Sequence, residues 1–136
     1  MEIEFEKCDA YHDERGDLIQ FVTDSFLKEK SLPFGQIYLL TFSHVGVVRG
    51  NHYHNHSSEV FCLISGSVEI VCENVDTKER VHKTLKIEAD NQFYKIFIGH
   101  RVAHAIRSIT DFAVMVSFSS EEYSIDKDDK IAYPLL

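Results

Sequence analysis

No apolar run in these 136 residues approaches the ~20 that a helix needs to cross a bilayer. The opening MEIEFEKCD is acidic and has no signal-peptide h-region, so no secretion signal is expected and a cytoplasmic protein is. Cysteine occurs only as Cys8, Cys62 and Cys72, an odd number with no CxxC pair; this offers no disulfide framework and suits a reducing compartment. Proline is confined to Pro33 and Pro134, and no repeat, low-complexity tract or linker interrupts the chain, so residues 1–136 read as a single domain long enough to bury a core. Basic residues are outnumbered, 14 Lys and Arg against 22 Asp and Glu. The resulting net charge of −8 argues against DNA or RNA as partner, because phosphate contacts need a basic face. One anionic small molecule held by a few local arginines stays compatible with it.

What the sequence does contain is short strands. Ile3–Phe5, Leu18–Val22, Gln36–Ser43, Val45–His54, Glu59–Ile64, Ser67–Glu73, Val81–Ile87, Phe93–Ile98, Ala103–Ser108 and Asp111–Ser117 have strand composition and spacing. Asp13 to Asp17 is turn chemistry, with Gly16 free to take positive φ. Asp24 to Lys30 has room for one helical turn, ended by Pro33-Phe34-Gly35; Thr77–Arg80 is a hairpin turn and Glu88–Gln92 a loop. About ten strands with little helix predict an all-β sandwich or barrel, and inward-facing polar residues favour a barrel with a ligand cavity. The acidic tail, Glu121 and Glu122 through Asp126, Asp128 and Asp129, reads as a solvated end of the chain.

The chemistry concentrates between Gly46 and Gly66. Strand alternation puts His52 and His54 on one face and Tyr53 on the other; four residues turn the corner before Glu59, which shares its face with Phe61 and Leu63. Two imidazoles and a carboxylate then converge inside a hairpin, the donor set of a two-His, one-carboxylate metal site, with His104 the best candidate to complete it. With eight His in the chain, a His-x-His pair by itself arises easily by chance. Here the spacing is longer: Gly46, five residues, His52-x-His54, four residues, Glu59, six residues, Gly66.

That spacing resembles the first motif of the cupins at every position, which implies a cupin jelly-roll barrel of two antiparallel sheets. The second cupin motif is matched more loosely by Phe97 to His104: Gly99 stands where proline is usual, Arg101 where glycine is, and Ser108 where a trailing asparagine is. Within cupins the chain resembles enzymes of nucleotide-linked deoxysugars. Asp13-Glu14-Arg15-Gly16-Asp17-Leu18 is similar to the opening of the dTDP-4-keto-sugar 3,5-epimerases and the sugar 3,4-ketoisomerases, and Arg49-Gly50-Asn51-His52-Tyr53-His54 to the core of both. The run from Asp111 to Tyr123 resembles the tail of the ketoisomerases and of the capsule-synthesis reductases, whose C-terminal cupin binds zinc. Metal-free ketoisomerases usually carry Lys and Gln where this chain has Asn55 and Glu59, so it leans toward the metal-binding branch.

The resemblance implies an isomerase or epimerase that moves a proton next to the keto group of a nucleotide-linked 4-keto-6-deoxysugar, in cell-surface polysaccharide or deoxysugar biosynthesis. It makes His52 the base, with His54 and Tyr38 as further catalytic candidates. A divalent metal, zinc first, on His52, His54, Glu59 and His104 would instead occupy the lone pair of His52, so the two roles of that residue exclude each other. Arg49 is the candidate for the substrate's phosphates, since a guanidinium forks onto two oxygens. On a regular strand it faces away from His52, but a bulge at Gly50 would turn it. Arg15 is a second phosphate candidate by the resemblance alone, from a neighbouring subunit, and His104 a residue against the substrate. The opening strand, with little core of its own, favours a homodimer. A non-catalytic sugar-binding cupin, and a metal-dependent dioxygenase or sugar-phosphate isomerase, fit the same donor set. His56 and His100 are candidates for the cavity mouth; His12, His44, His82, Asp111 and Glu121 are expected to face solvent.

Overall fold

In a computed structural model of the protein, residues 2–87, 93–124 and 129–136 are described; the loop expected over 88–92, and Asp126 and Asp128 of the acidic tail, lie outside these. The described elements are β1 (Ile3–Lys7), β2 (Asp9–Asp13), β3 (Gly16–Gln20), α1 (Asp24–Glu29), β4 (Gln36–Phe42), β5 (Val48–His54), β6 (Glu59–Ser65), β7 (Ser67–Asn74), β8 (Arg80–Lys86), β9 (Tyr94–Ile98), β10 (Val102–Ser108), β11 (Ala113–Ser119) and β12 (Lys130–Ala132). Two five-stranded antiparallel sheets are formed, in the orders β1-β9-β6-β11-β4 and β12-β5-β10-β7-β8, with β2 and β3 as a separate two-stranded ribbon. From β4 onward the chain changes sheet at almost every turn, the connectivity of a jelly roll. The sheets face each other without closing into a continuous barrel.

This crossing corrects the hairpin expected between β5 and β6. The two strands belong to different sheets, so His52 and His54 look across the interior at Glu59 instead of lying beside it. The spacing argument still works, because the corner brings the two inner faces opposite each other. Between the sheets sits the core, including Phe42, Phe61, Leu63, Ile70, Ile96, Ile98, Ile106 and Met115, each supplied by the inward parity of its strand. Ile3 and Phe5 pack against it and β1 pairs with β9, so the opening strand is better anchored than its composition suggests.

The first sheet is covered on its outer face as well, which is why β6 is buried on both sides from Glu59 to Leu63. Phe26 of α1 meets Val60, Phe97 and Phe118 there, a burial worth about 1.5–3 kcal/mol for the Phe side chain. Thr23 caps this helix by accepting from Phe26 N–H at 3.1 Å. Cys62 faces the same outer side, packed with Cys8 and Phe93 away from the interior cavity; all three cysteines are free and buried. Two strands had no hydrophobic signal to reveal them. All five residues of β2 are exposed, as are all three of β12. Gly16 does take positive φ, +126°, after the β2–β3 turn.

Candidate active site

The interior opens into a cavity of about 410 Å³ lined by His52, His54, Glu59, His104, Tyr38 and Arg49 among others, within the size range of small-molecule sites. Its histidine wall is built on the second sheet. His104 of β10 stands opposite His52 of β5 in register, and the register slips by one residue between His104 and Ala105, where Asn51 is the extra residue. Gly50 and Asn51 both have positive φ, +96° and +57°. A side chain at position 50 would meet the His104 carbonyl oxygen at 2.6 Å, so only glycine lets the strands approach here. The bulge resets strand parity, and Arg49 lines the same cavity as His52 and His54. Its Nε donates to Thr41 O at 3.0 Å and its guanidinium lies over the Phe42 ring.

Opposite, on the first sheet, Tyr38 of β4 donates to Glu59 Oε1 at 3.0 Å. Glu59 is buried and sits between two imidazoles: Oε1 is 3.3 Å from His54 Nε2 and Oε2 is 3.2 Å from His104 Nε2. Burial alone would raise the Glu59 pKa, but His104 and His54 outweigh it and hold the carboxylate ionised well below its ordinary range. Burial and the Glu59 charge push the Tyr38 phenol far up, so it stays protonated.

The two histidines of β5 are driven apart. His52 is desolvated and faces His104 and His54, which lowers its pKa to about 4. Burial works in the same direction on His54, yet Glu59 on one ring nitrogen and Asp129 on the other raise it to about 9. Their ring centroids are 5.0 Å apart. Asp129 is the residue that sequence reasoning missed. The acidic tail reads as solvated in the sequence, yet Asp129 Oδ1 is 2.8 Å from His54 Nδ1 while Oδ2 accepts from the backbone N–H of His56 and Ser57, at 3.0 and 3.1 Å. Burial opposes its charge, but His54 and those two amides keep it below the ordinary carboxylate range. Nothing in an acidic run marks one member as a histidine partner; the short β12 that delivers it carries no periodic signal. Glu121 is exposed yet lines the cavity mouth, as do Glu122 and Lys130.

Donor geometry fits a divalent metal. The ligand atoms of His52, His54 and His104 lie within 4.8 Å of one another. Glu59 stands outside that three-histidine group but is close to two of its members, 3.3 Å from His54 Nε2 and 3.2 Å from His104 Nε2, which matches the ~3.3 Å ligand-to-ligand separation of a tetrahedral ion with bonds of about 2.0–2.1 Å. Among the described residues, the buried His54 Nε2 and Glu59 Oε2 meet their neighbours as ion pairs without hydrogen-bond geometry; with a cation bound, His54 would be neutral and these lone pairs would turn to it. Three expected neighbours are elsewhere. Arg15 sits at the tip of the β2–β3 ribbon, paired with Asp13 and outside its own chain's cavity. His56 and His100 are exposed, as are His12, His44, His82 and Asp111.

An antiparallel jelly roll with a histidine-lined interior and a carboxylate facing it is the cupin fold. The chain belongs to the polysaccharide biosynthesis C-terminal domain family, which matches residues 11–131. No curated protein matches it significantly. Among solved structures it is similar to a sugar 3,4-ketoisomerase from Thermoanaerobacterium thermosaccharolyticum in complex with TDP, at 21% identity and TM-score 0.77, over 96% of this chain and 88% of that one. A 3'-monoepimerase from Streptomyces bikiniensis in complex with dTDP-quinovose matches at 18% identity and TM-score 0.80, over 96% and 69%. A dTDP-6-deoxy-D-glucose-3,5-epimerase from Legionella pneumophila, in complex with dTDP-4-keto-L-rhamnose, matches at 19% and 0.80, over 96% and 72%. Likeness at these identities establishes the fold. No helix among the described residues is long and apolar enough to cross a membrane.

Proposed function

We propose that this protein, as one cupin domain, isomerises or epimerises a nucleotide-linked 4-keto-6-deoxysugar by proton transfer at the carbon next to the keto group. The observation that carries the reading is the unequal partnering of two histidines in one buried cavity: Glu59 and Asp129 hold the two ring nitrogens of His54, while His52 faces the other imidazoles, an arrangement that favours charge on His54 and not on His52. Titratable pairs pushed apart in this way divide the acid and base duties of a reaction. The fold it shares with a sugar 3,4-ketoisomerase bound to TDP and with epimerases bound to dTDP-quinovose and dTDP-4-keto-L-rhamnose supports the substrate class.

The neutral ring of His52 takes the proton, leaving an enolate whose negative charge gathers on the former keto oxygen. His54 as imidazolium, its two ring nitrogens held by Glu59 and Asp129, adds a fixed positive charge beside that oxygen; with both N–H groups directed at those carboxylates it acts through the field and not through a hydrogen bond. Returning the proton to the former carbonyl carbon, while the neighbouring hydroxyl passes its proton to the former keto oxygen, exchanges the keto and hydroxyl positions; returning it to the opposite face of the original carbon inverts that centre. Tyr38, committed to Glu59 and kept protonated, holds the carboxylate in place. Arg49, with Lys130 at the same mouth, receives the diphosphate, and His104 packs against the sugar.

His52, His54, His104 and Glu59 also make a site for zinc; bound there, it would polarise the keto oxygen as a Lewis acid. Metal analysis of protein purified without chelator, paired with turnover before and after chelation, separates the two roles of His52. Full activity in metal-free protein assigns it as base, and loss of activity restored by zinc assigns it as ligand. Either way, His52→Ala and His54→Ala each lower kcat by about 100-fold or more. Normal turnover in both folded variants contradicts the catalytic reading and favours a sugar-binding cupin.

Two copies pair to complete the site. Ile37 and Leu39, 57% and 69% exposed on edge strand β4, and Tyr11 and Leu18 on the ribbon beside Arg15, supply apolar surface for pairing. In the dimer Arg15 exchanges Asp13 for the phosphates in its partner's cavity. Three free buried cysteines suit work in the cytoplasm.

A further inference from the structure

The segment that brings Asp129 to His54 has little hold of its own. β12 is three residues long, all exposed, and pairs with β5 only at Lys130, Ile131 and Ala132. Such a short strand buries too little apolar surface to fix its position. Its hold comes from polar groups at either end. At one end is Asp129 itself. At the other, the side chain of Asn51 accepts from Leu135 N–H at 2.8 Å and Leu136 N–H at 3.1 Å and donates to Leu136 O at 3.0 Å, while its backbone oxygen accepts from Tyr133 N–H at 2.7 Å. The bulge that turns Arg49 into the cavity is thus the clamp for the C-terminal segment. Tyr133 adds a second anchor through its hydroxyl on Glu73 and its ring against Tyr53.

We infer that Asn51 is a positioning residue: by clamping residues 133–136 it seats β12 on β5 and so holds Asp129 against Nδ1 of His54. In the sequence Asn51 is a member of the Arg49–His54 motif with no role assigned to it. Its left-handed backbone explains why an asparagine suits the bulge, but not why its amide makes three hydrogen bonds to chain more than eighty residues away. A carboxylate oriented through a clamp is sensitive to displacement, since an error of about 1 Å near reacting groups can cost about 100-fold in rate. The kinetic part of this inference rests on the isomerase reading; the structural part does not.

Asn51→Gly tests it, because glycine keeps the positive φ and the backbone bond from Tyr133 N–H and removes only the three side-chain bonds of the clamp. In that variant, amide exchange at Leu135 and Leu136 should accelerate, and the proton NMR signal of His54 Nδ1–H should broaden or vanish. With a nucleotide-linked 4-keto sugar, kcat should fall about 10- to 100-fold while KM stays within about threefold. Asn51→Asp, which keeps the acceptor and loses the donor, should fall between. Because Asn51 acts through Asp129, Asn51→Gly combined with Asp129→Ala should be no slower than Asp129→Ala alone. Unchanged protection at Leu135 and Leu136 with an unchanged His54 signal overturns the clamp, and so does a double variant whose losses multiply. If the unmodified protein exchanges no proton with such sugars, the proposed reaction fails while the exchange and NMR results still decide the clamp.

Discussion

At the scale of residues, His52 and His54 begin with the same chemistry and differ only in what surrounds them. Linkage turns their shifts into a stability profile for metal-free protein. His54, raised from 6.5 to about 9, contributes stability that is fully present below pH 6.5 and is lost as pH rises through about 9. His52, lowered to about 4, works in the other direction: between pH 6.5 and about 4 the unfolded chain binds a proton that the folded one refuses, so stability is lost as pH falls. Chemical denaturation of chelator-treated protein across pH should therefore show a maximum near pH 6.5. His54→Gln should flatten the alkaline limb, and a limb that survives this change would assign it to another group. Glu59→Gln removes the charge that both partner imidazoles face and one ligand of the metal set. Zinc affinity should fall by about 10- to 100-fold or more, measured by competition with a chelating dye, since even groups behind the ligands matter on that scale. Unchanged affinity would take Glu59 out of the set.

At the scale of elements, the β5 bulge decides which side chains meet. A glycine between Arg49 and Asn51 was visible as a point where strand parity can break, and the spacing from Gly46 to Gly66 was enough to place His52, His54 and Glu59 at one site. How they meet was hidden, because sequence alternation fixes a strand's faces but not the sheet it joins; the corner after His54 crosses the sandwich. β12 and Asp129 were hidden for a different reason. An exposed three-residue strand has no hydrophobic period, and an acidic run reads as solvated unless its partner is known. Gly50→Ala tests the bulge. The new methyl meets the His104 carbonyl at 2.6 Å on a backbone at φ +96°. The variant should lose at least about 1–3 kcal/mol in urea unfolding, together with activity, as β5 shifts against β10. A variant of full stability would mean that the strands have room to spare.

At the scale of the whole molecule, the acidic balance that argued against nucleic acid coexists with a cavity whose mouth holds Arg49 and Lys130 beside Glu121 and Glu122. An anion would enter against the global field and bind through local contacts, so KM for the nucleotide sugar should depend on Arg49 more than kcat does. Arg49→Ala should raise KM by about tenfold or more with kcat little changed, because a phosphate contact serves ground state and transition state alike. The proposed pairing of two copies belongs to this scale too. Light scattering at micromolar concentration should give twice the 15.7 kDa chain mass, and Leu39→Lys, placing a charge on the exposed row of β4, should return the chain mass. A monomer without that change would leave Arg15 with no partner cavity to serve. The central claim, proton transfer next to a keto group, is tested most directly by incubating the protein in deuterium oxide with a panel of nucleotide-linked 4-keto-6-deoxysugars and following each ring proton by NMR. Enzyme-dependent exchange at C3 alone, abolished by His52→Ala, is the expected result for a ketoisomerase or 3-epimerase, and exchange at both C3 and C5 that for a 3,5-epimerase; binding of these sugars with no exchange at either carbon would contradict the account.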